Sequence, residues 1–192
     1  MPTNTNQVRG FVPVASWLKG SIAGKRQRFY IPSTDGTAVY VGDLVKLAGS
    51  ADANGVPTVA VAASGDTVVG AVTSVSPNPD SLTTLYRAAS TARYVEVCVD
   101  PDAVYEIQED AVGGALAVTD VGLNASFITA SGNTTTGMSG WQLDTSTKAT
   151  TSSLDCQILG FSQKVGNAVG TANAKVLVRL NNHQYKNATT GV

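Results

Sequence analysis

Between Val41 and Val75 the sequence VGDLVKLAGSADANGVPTVAVAASGDTVVGAVTSV alternates short apolar runs with turn-forming residues three times. Runs this short, rich in Val and bounded by Gly, Asn, Asp and Pro, are built as strands, not helices. The pattern predicts strands over Leu44 to Leu47, Val56 to Val61 and Thr67 to Val75. Asn54-Gly55 predicts a tight hairpin with a two-residue turn of the primed type, because both turn positions need positive φ. Pro57 has no N–H to donate, which places it at a strand start or on an edge.

The same rhythm recurs downstream. YVEVCVD from Tyr94 sets Val95, Val97 and Val99 on one face and Glu96 and Asp100 on the other, and AVYEIQ follows after Pro101. Trp141, Leu143, Leu154, Cys156 and Ile158 restart the alternation, and AKVLVRL points Val176, Val178 and Leu180 inward against Lys175 and Arg179. Residues 76–93 interrupt it: Pro77 and Pro79 open a loop, and Ser81 offers an N-cap to a short helical turn over LTTLYRAA. Thr129 to Gly140, nearly all Thr, Ser, Gly and Asn, reads as an exposed loop or hairpin tip. The expected fold is mainly β with little helix: an antiparallel barrel or sandwich body over residues 36–183, an extended N-terminal arm over 1–35 and a C-terminal tail over 184–192.

The arm differs from the body in charge. It carries Arg9, Lys19, Lys25, Arg26 and Arg28 and no acidic residue before Asp35. Phe11, Val12, Trp17, Leu18, Ile22, Phe29, Tyr30 and Ile31 make it too apolar for a solvated tail, and Pro13, Gly20, Gly24 and Pro32 break it too often for a long helix. Two readings stand, that the arm docks on a partner or that it lies along its own body as extra strand, while a nucleic-acid arm is disfavoured by the small number of basic residues and the lack of a recognition motif. In the first, Trp17, Phe29 and Tyr30 are apolar anchors, and Lys25, Arg26 and Arg28 contact acidic groups.

Over the whole chain of 192 residues, charged residues make up 14% and the net charge is −1, which gives no bulk drive toward nucleic acid or an anionic membrane. So few charges keep a free monomer soluble poorly, so a partner is expected to cover part of the surface. Cys98 and Cys156 sit in apolar runs as buried thiols, with neither metal-ligand nor redox spacing. The acidic residues Asp100, Asp102, Glu106, Glu109 and Asp110 fit no calcium-loop spacing and read as a solvated acidic edge. A nucleophilic triad would have to be built on the single histidine, His183, which reads instead as a surface or interface residue. Phosphate-loop, dinucleotide and zinc motifs are absent, so neither catalytic residues, nor a metal, nor a cofactor is expected.

The ordered set GDLVKLAGSADANGVPTVAVAASGDTVVGAVTSV, VYEIQED, TDVGLNASF, TGMSGWQLD, LDCQILGF and AKVLVRLNNHQY resembles the capsid decoration, or cement, proteins of tailed bacteriophage heads. The resemblance covers most of Gly42 to Tyr185 and leaves the arm unmatched. It implies a non-enzymatic virion protein, made in the host cytoplasm and carried on the outer surface of an icosahedral shell. There it would bridge neighbouring major capsid subunits and contact other copies of itself as a dimer or trimer, without touching nucleic acid or membrane. Alternatives of different kinds remain: a head fibre or adhesin that binds host glycans through the Thr129 to Gly140 loop, a tail or neck component, and a β-sheet hydrolase.

Overall fold

The computed structural model describes residues 3–17, 21–22 and 24–186; Leu18 and Lys19 of the arm, and residues 187–192 of the tail, lie outside them. The strands are β1 (Val12–Ser16), β2 (Arg26–Ile31), β3 (Leu44–Ala51), β4 (Pro57–Val61), β5 (Gly70–Val75), β6 (Arg93–Cys98), β7 (Ala103–Gln108), β8 (Asn124–Ala125), β9 (Phe127–Ile128), β10 (Gln142–Leu143), β11 (Cys156–Phe161) and β12 (Lys175–Leu180). The only helical elements among the described residues are two short 3-10 turns, Val118–Asp120 and Thr145–Thr147.

Barrel and sheet coexist. Five strands close a barrel in the order β2-β4-β3-β5-β6, and five more form a sheet in the order β1-β7-β12-β11-β8. Each has its own core. Inside the barrel lie Phe29, Ile31, Val45, Val59, Val72, Val95 and Val97 from its strands, joined by Val39 and Val69 from the segments that lead into β3 and β5. The second core joins sheet residues such as Tyr105, Ile107, Val176 and Val178 to Leu44, Ala71 and Cys98 from the outside of the barrel, so the sheet packs against the barrel wall. Phe11, Tyr105, Phe127 and Trp141 knit this second core: Phe11 meets Tyr105 and Phe127 edge-on, and Phe127 stacks on Trp141 at 4.9 Å between centroids.

Strand alternation predicts the inward faces of β6 and β12 correctly, with Val95, Val97, Val176, Val178 and Leu180 all buried. The barrel is not wholly antiparallel, because β2 runs parallel to β4, touching it at Tyr30 and Thr58. The hairpin between β3 and β4 forms, but not through a primed turn. Only Gly55 takes positive φ (+80°), and its N–H bonds to the Asp52 carbonyl. Asp52 Oδ1 also accepts the N–H groups of Asn54 and Val56, so an acidic side chain braces a wider loop.

The division at residue 36 does not hold. β1 pairs with β7 and β2 with β6, so residues 12–16 belong to the sheet and 26–31 to the barrel. Phe11, just before β1, enters the core between sheet and barrel, and Phe29 and Ile31 of β2 enter the barrel core, so these stretches of the arm lie along their own body. The tail boundary moves as well. Val68 N–H bonds to the Asn182 carbonyl and Gln184 N–H to the Val68 carbonyl, which fixes the chain past residue 183 to the barrel. No helix forms over LTTLYRAA. Tyr86 stacks on Tyr40, and the Arg87 and Val39 main chains exchange two hydrogen bonds, holding this segment extended. The Thr129 to Gly140 loop is tied down at its second half, where Val41 N–H bonds to Gly137 and Ser139 N–H bonds back to Val41.

Candidate partner interface

Trp17 follows the last residue of β1, and strand alternation decides its direction. Ser16 is buried, so the next side chain points out, and Trp17 is 56% exposed. Its main chain is nonetheless fixed, because its N–H donates to the Asp102 carbonyl at 2.8 Å. Lys25, just before β2, reaches the same turn: its ammonium donates to Asp100 Oδ2 at 2.6 Å and to Ser16 Oγ at 2.7 Å. Burial would raise the Asp100 carboxyl, but the hydrogen bonds from Lys25 and Ser16 hold it below the ordinary range.

Two cations from the far end of the chain act on this turn. Arg179 of β12 places Nη1 3.8 Å from Asp102 Oδ1. Lys186 has its ammonium pKa lowered by burial and by Arg179, against the attraction of Asp102. Tyr185, 45% exposed, lies between Lys186 and the anchored Gln184. Arg179 was legible as an outward residue of its strand. Tyr185 and Lys186 looked like tail, and nothing local marks the Val68 contact that brings them here. The result is an exposed Trp whose main chain is fixed to a turn that carries two carboxylates, ion-paired to Lys25 and Arg179. Trp, Tyr and Arg are the residue types that dominate the energetics of protein interfaces.

The other predicted anchors scatter. Phe29 is fully buried in the barrel, because it sits on the inward face of β2 between β6 and β4, and it is unavailable to any partner. Arg28 and Tyr30 point out from the same strand. The Arg28 guanidinium lies 3.9 Å over the Tyr94 ring, Tyr30 packs beside that ring, and the Tyr94 hydroxyl donates to Asp52 Oδ2 at 2.6 Å. Arg26 is exposed and faces β1 across a cavity.

The acidic run is not a solvated edge. β7 is buried along its whole length, between β1 and β12, and its one carboxylate, Glu106, and the two that follow it, Glu109 and Asp110, are bonded internally. Glu106 accepts from Ser162 Oγ at 2.6 Å and Lys164 Nζ at 2.8 Å. Glu109, fully buried, accepts the N–H groups of Leu116 and Ala174, and burial raises its carboxyl above the ordinary range. Asp110 accepts the Thr145 N–H and hydroxyl. Strand alternation and separate partners splay these groups, and among the described residues no three His, Cys, Asp or Glu side chains gather as a metal site.

His183 is not at the surface either. It is 2% exposed, bridged to Val68, and burial pushes its imidazole down to about 4. Its Nδ1 accepts the Tyr185 N–H at 3.1 Å, a contact that orders the chain end. Cys98 and Cys156 are both buried thiols, raised by burial. A scan against protein-family models and searches of curated proteins and of solved structures found no match to this chain.

Proposed function

We propose that this chain is a structural protein of a tailed-phage virion that binds the outside of the icosahedral shell and cements neighbouring major capsid subunits. The observation that carries the reading is the patch at the Asp100–Asp102 turn, where Trp17 stays exposed on a fixed main chain beside Lys25 and Arg179. An exposed aromatic on a rigid main chain loses little entropy when it is buried by a partner. The low charge of the chain fits a surface covered in the assembled particle, and the sequence blocks from Gly42 to Tyr185 point to the same class of protein. A protein that binds only the mature shell stabilises it by mass action, and many modest contacts on one lattice give persistence without one tight contact.

The test has two parts. The chain is quantified and located in purified particles, with hundreds of copies over the shell expected. Shells lacking the protein are then incubated with wild type and with Trp17→Ala, and the variant is expected to bind at least about tenfold more weakly. A dozen copies or fewer at one vertex, or wild-type protein that fails to bind shells, overturns the reading.

A further inference from the structure

Three cavities meet at Arg9. The largest, about 730 Å³, lies between residues 6–9 and the loop over 131–140, with Asn6, Ser131, Asn133 and Thr136 among its lining side chains. A second, about 160 Å³, adds Lys164 and Lys175. The third, about 210 Å³, lies between β1 and the barrel, where Arg26 joins Arg9 beside Pro13, Val41, Val72 and Met138. Gln7 lines the first two cavities and Met138 the first and third, so the three form one branched groove.

Its charge is one-sided. Arg9 and Arg26 are exposed, and neither side chain makes an ion pair or hydrogen bond among the described residues. The one carboxylate lining any of the three cavities is Glu106, which Lys164 and Ser162 already satisfy. Two uncommitted guanidinium groups therefore face one cavity with no internal counter-charge. Guanidinium is the cation best matched to a carboxylate, through paired N–H donors.

We infer that this groove receives an acidic, extended segment of a partner protein, with carboxylates on Arg9 and Arg26 and an apolar side chain between them. The wall formed by Pro13, Val41, Val72 and Met138 supplies the apolar contact. The amide and hydroxyl groups of Asn6, Ser131, Asn133 and Thr136 match the peptide groups of an extended chain. An acidic saccharide shares the carboxylate chemistry but has no apolar side chain for that wall. The inference rests on the reading of this chain as a partner-binding protein, and it names a surface separate from the Trp17 patch.

The probe is a blocked, labelled decapeptide of alternating Glu and Val, titrated into the full chain and followed by fluorescence anisotropy, with a Gln-Val peptide and oligogalacturonate as competitors. The Glu-Val peptide is expected to bind, about tenfold more tightly than the Gln-Val peptide. The double variant Arg9→Gln/Arg26→Gln should weaken it about tenfold, as two exposed charge pairs allow. Lys46→Gln removes a positive charge already committed to Asp66 and should leave binding unchanged. Failure of the Glu-Val peptide to bind, equal binding of the Gln-Val peptide, undiminished binding by a double variant with native circular dichroism, or preference for oligogalacturonate overturns the inference. Shell binding separates the two proposals: a shell-binding protein whose double variant loses nothing leaves the cement reading standing and removes the groove from it.

Discussion

Arg87 offers the sharpest test of how this fold is held together, because a fully buried guanidinium here ties loops and not ligands. Its Nε donates to the Thr91 carbonyl at 2.7 Å, Nη1 to the Thr37 carbonyl, and Nη2 to the carbonyls of Pro32 and Asp35 at 2.8 and 2.7 Å. The Asp35 carboxylate, 3.7 Å away, supplies the counter-charge. Arg87→Met keeps the side-chain length and removes every donor. The Pro32 and Asp35 carbonyls retain a second donor each, from Asp35 N–H and Ser90 N–H, so their loss costs about 0.5 kcal/mol apiece. The Thr37 and Thr91 carbonyls lose a charge-assisted bond worth about 1.5 kcal/mol each. The expected destabilisation is about 4 kcal/mol, equivalent to a fall in Tm of roughly 8–16 °C for a chain of this size. Urea unfolding and calorimetry measure it, and Arg87→Lys should fall between the two because one ammonium cannot serve four diverging acceptors. A Met variant within about 1 kcal/mol of wild type would refute the claim that this guanidinium organises the 32–37 and 87–91 loops.

Two buried groups should titrate against each other between pH 4 and 6.5. Burial raises the Asp43 carboxyl to about 6, against hydrogen bonds from Ser139 and the Tyr40 N–H, so its protonation stabilises the fold as pH falls from 6 to 4. His183, held at about 4, stays neutral while the unfolded chain takes up its proton below 6.5, so stability is lost over the same window. Each gap corresponds to about 3 kcal/mol. Asp43→Asn should therefore exceed wild type in stability above pH 6 and converge with it near pH 4, while His183→Gln should lose less stability than wild type on acidification; denaturant midpoints across pH that stay parallel for all three proteins would contradict this. Core and interface roles within the N-terminal strands separate by stability alone. Phe29→Ala should cost about 3–5 kcal/mol as a core cavity, whereas Trp17→Ala should change the Tm by no more than about 2 °C, and equal losses in differential scanning would show that Trp17 is structural.

Much of the strand content was legible because period-two alternation is a local signal. Val95, Val97, Val176 and Val178 announce their inward faces through nearest neighbours alone. What the chain does not write locally is which sheet a strand joins. Nothing within residues 26–31 distinguishes an interface arm from a barrel strand, since aromatic and cationic alternation serves both, and only the pairing with residues 93–98 decides that Phe29 is core. His183 and Tyr185 were misplaced for the same reason. A polar stretch after the last strand looks solvated unless its contact with Val68 is known. The acidic run of β7 misled because a carboxylate reads as exposed until its donors, Lys164 and the Leu116 and Ala174 amides, come from distant parts of the chain. The groove around Arg9 and Arg26 is equally non-local, joining residues from β1, β2, β5 and the 131–140 loop.

The pairing of β1 with β7 makes the whole barrel an insertion between two neighbouring strands of the sheet, with Ser16 opposite Ala103. Closing that pair in an open chain would mean joining the ends of a very long loop, and loops of that kind slow folding. The barrel removes the difficulty if it forms first, since β2 to β6 are contiguous in sequence and their closure delivers Ser16 to the start of β7. During synthesis the barrel strands emerge before β7, and the sheet strands β11 and β12 come last of all. The first strand of the chain thus waits for β7, and the other side of β7 in turn stays an open edge until β12 has been translated.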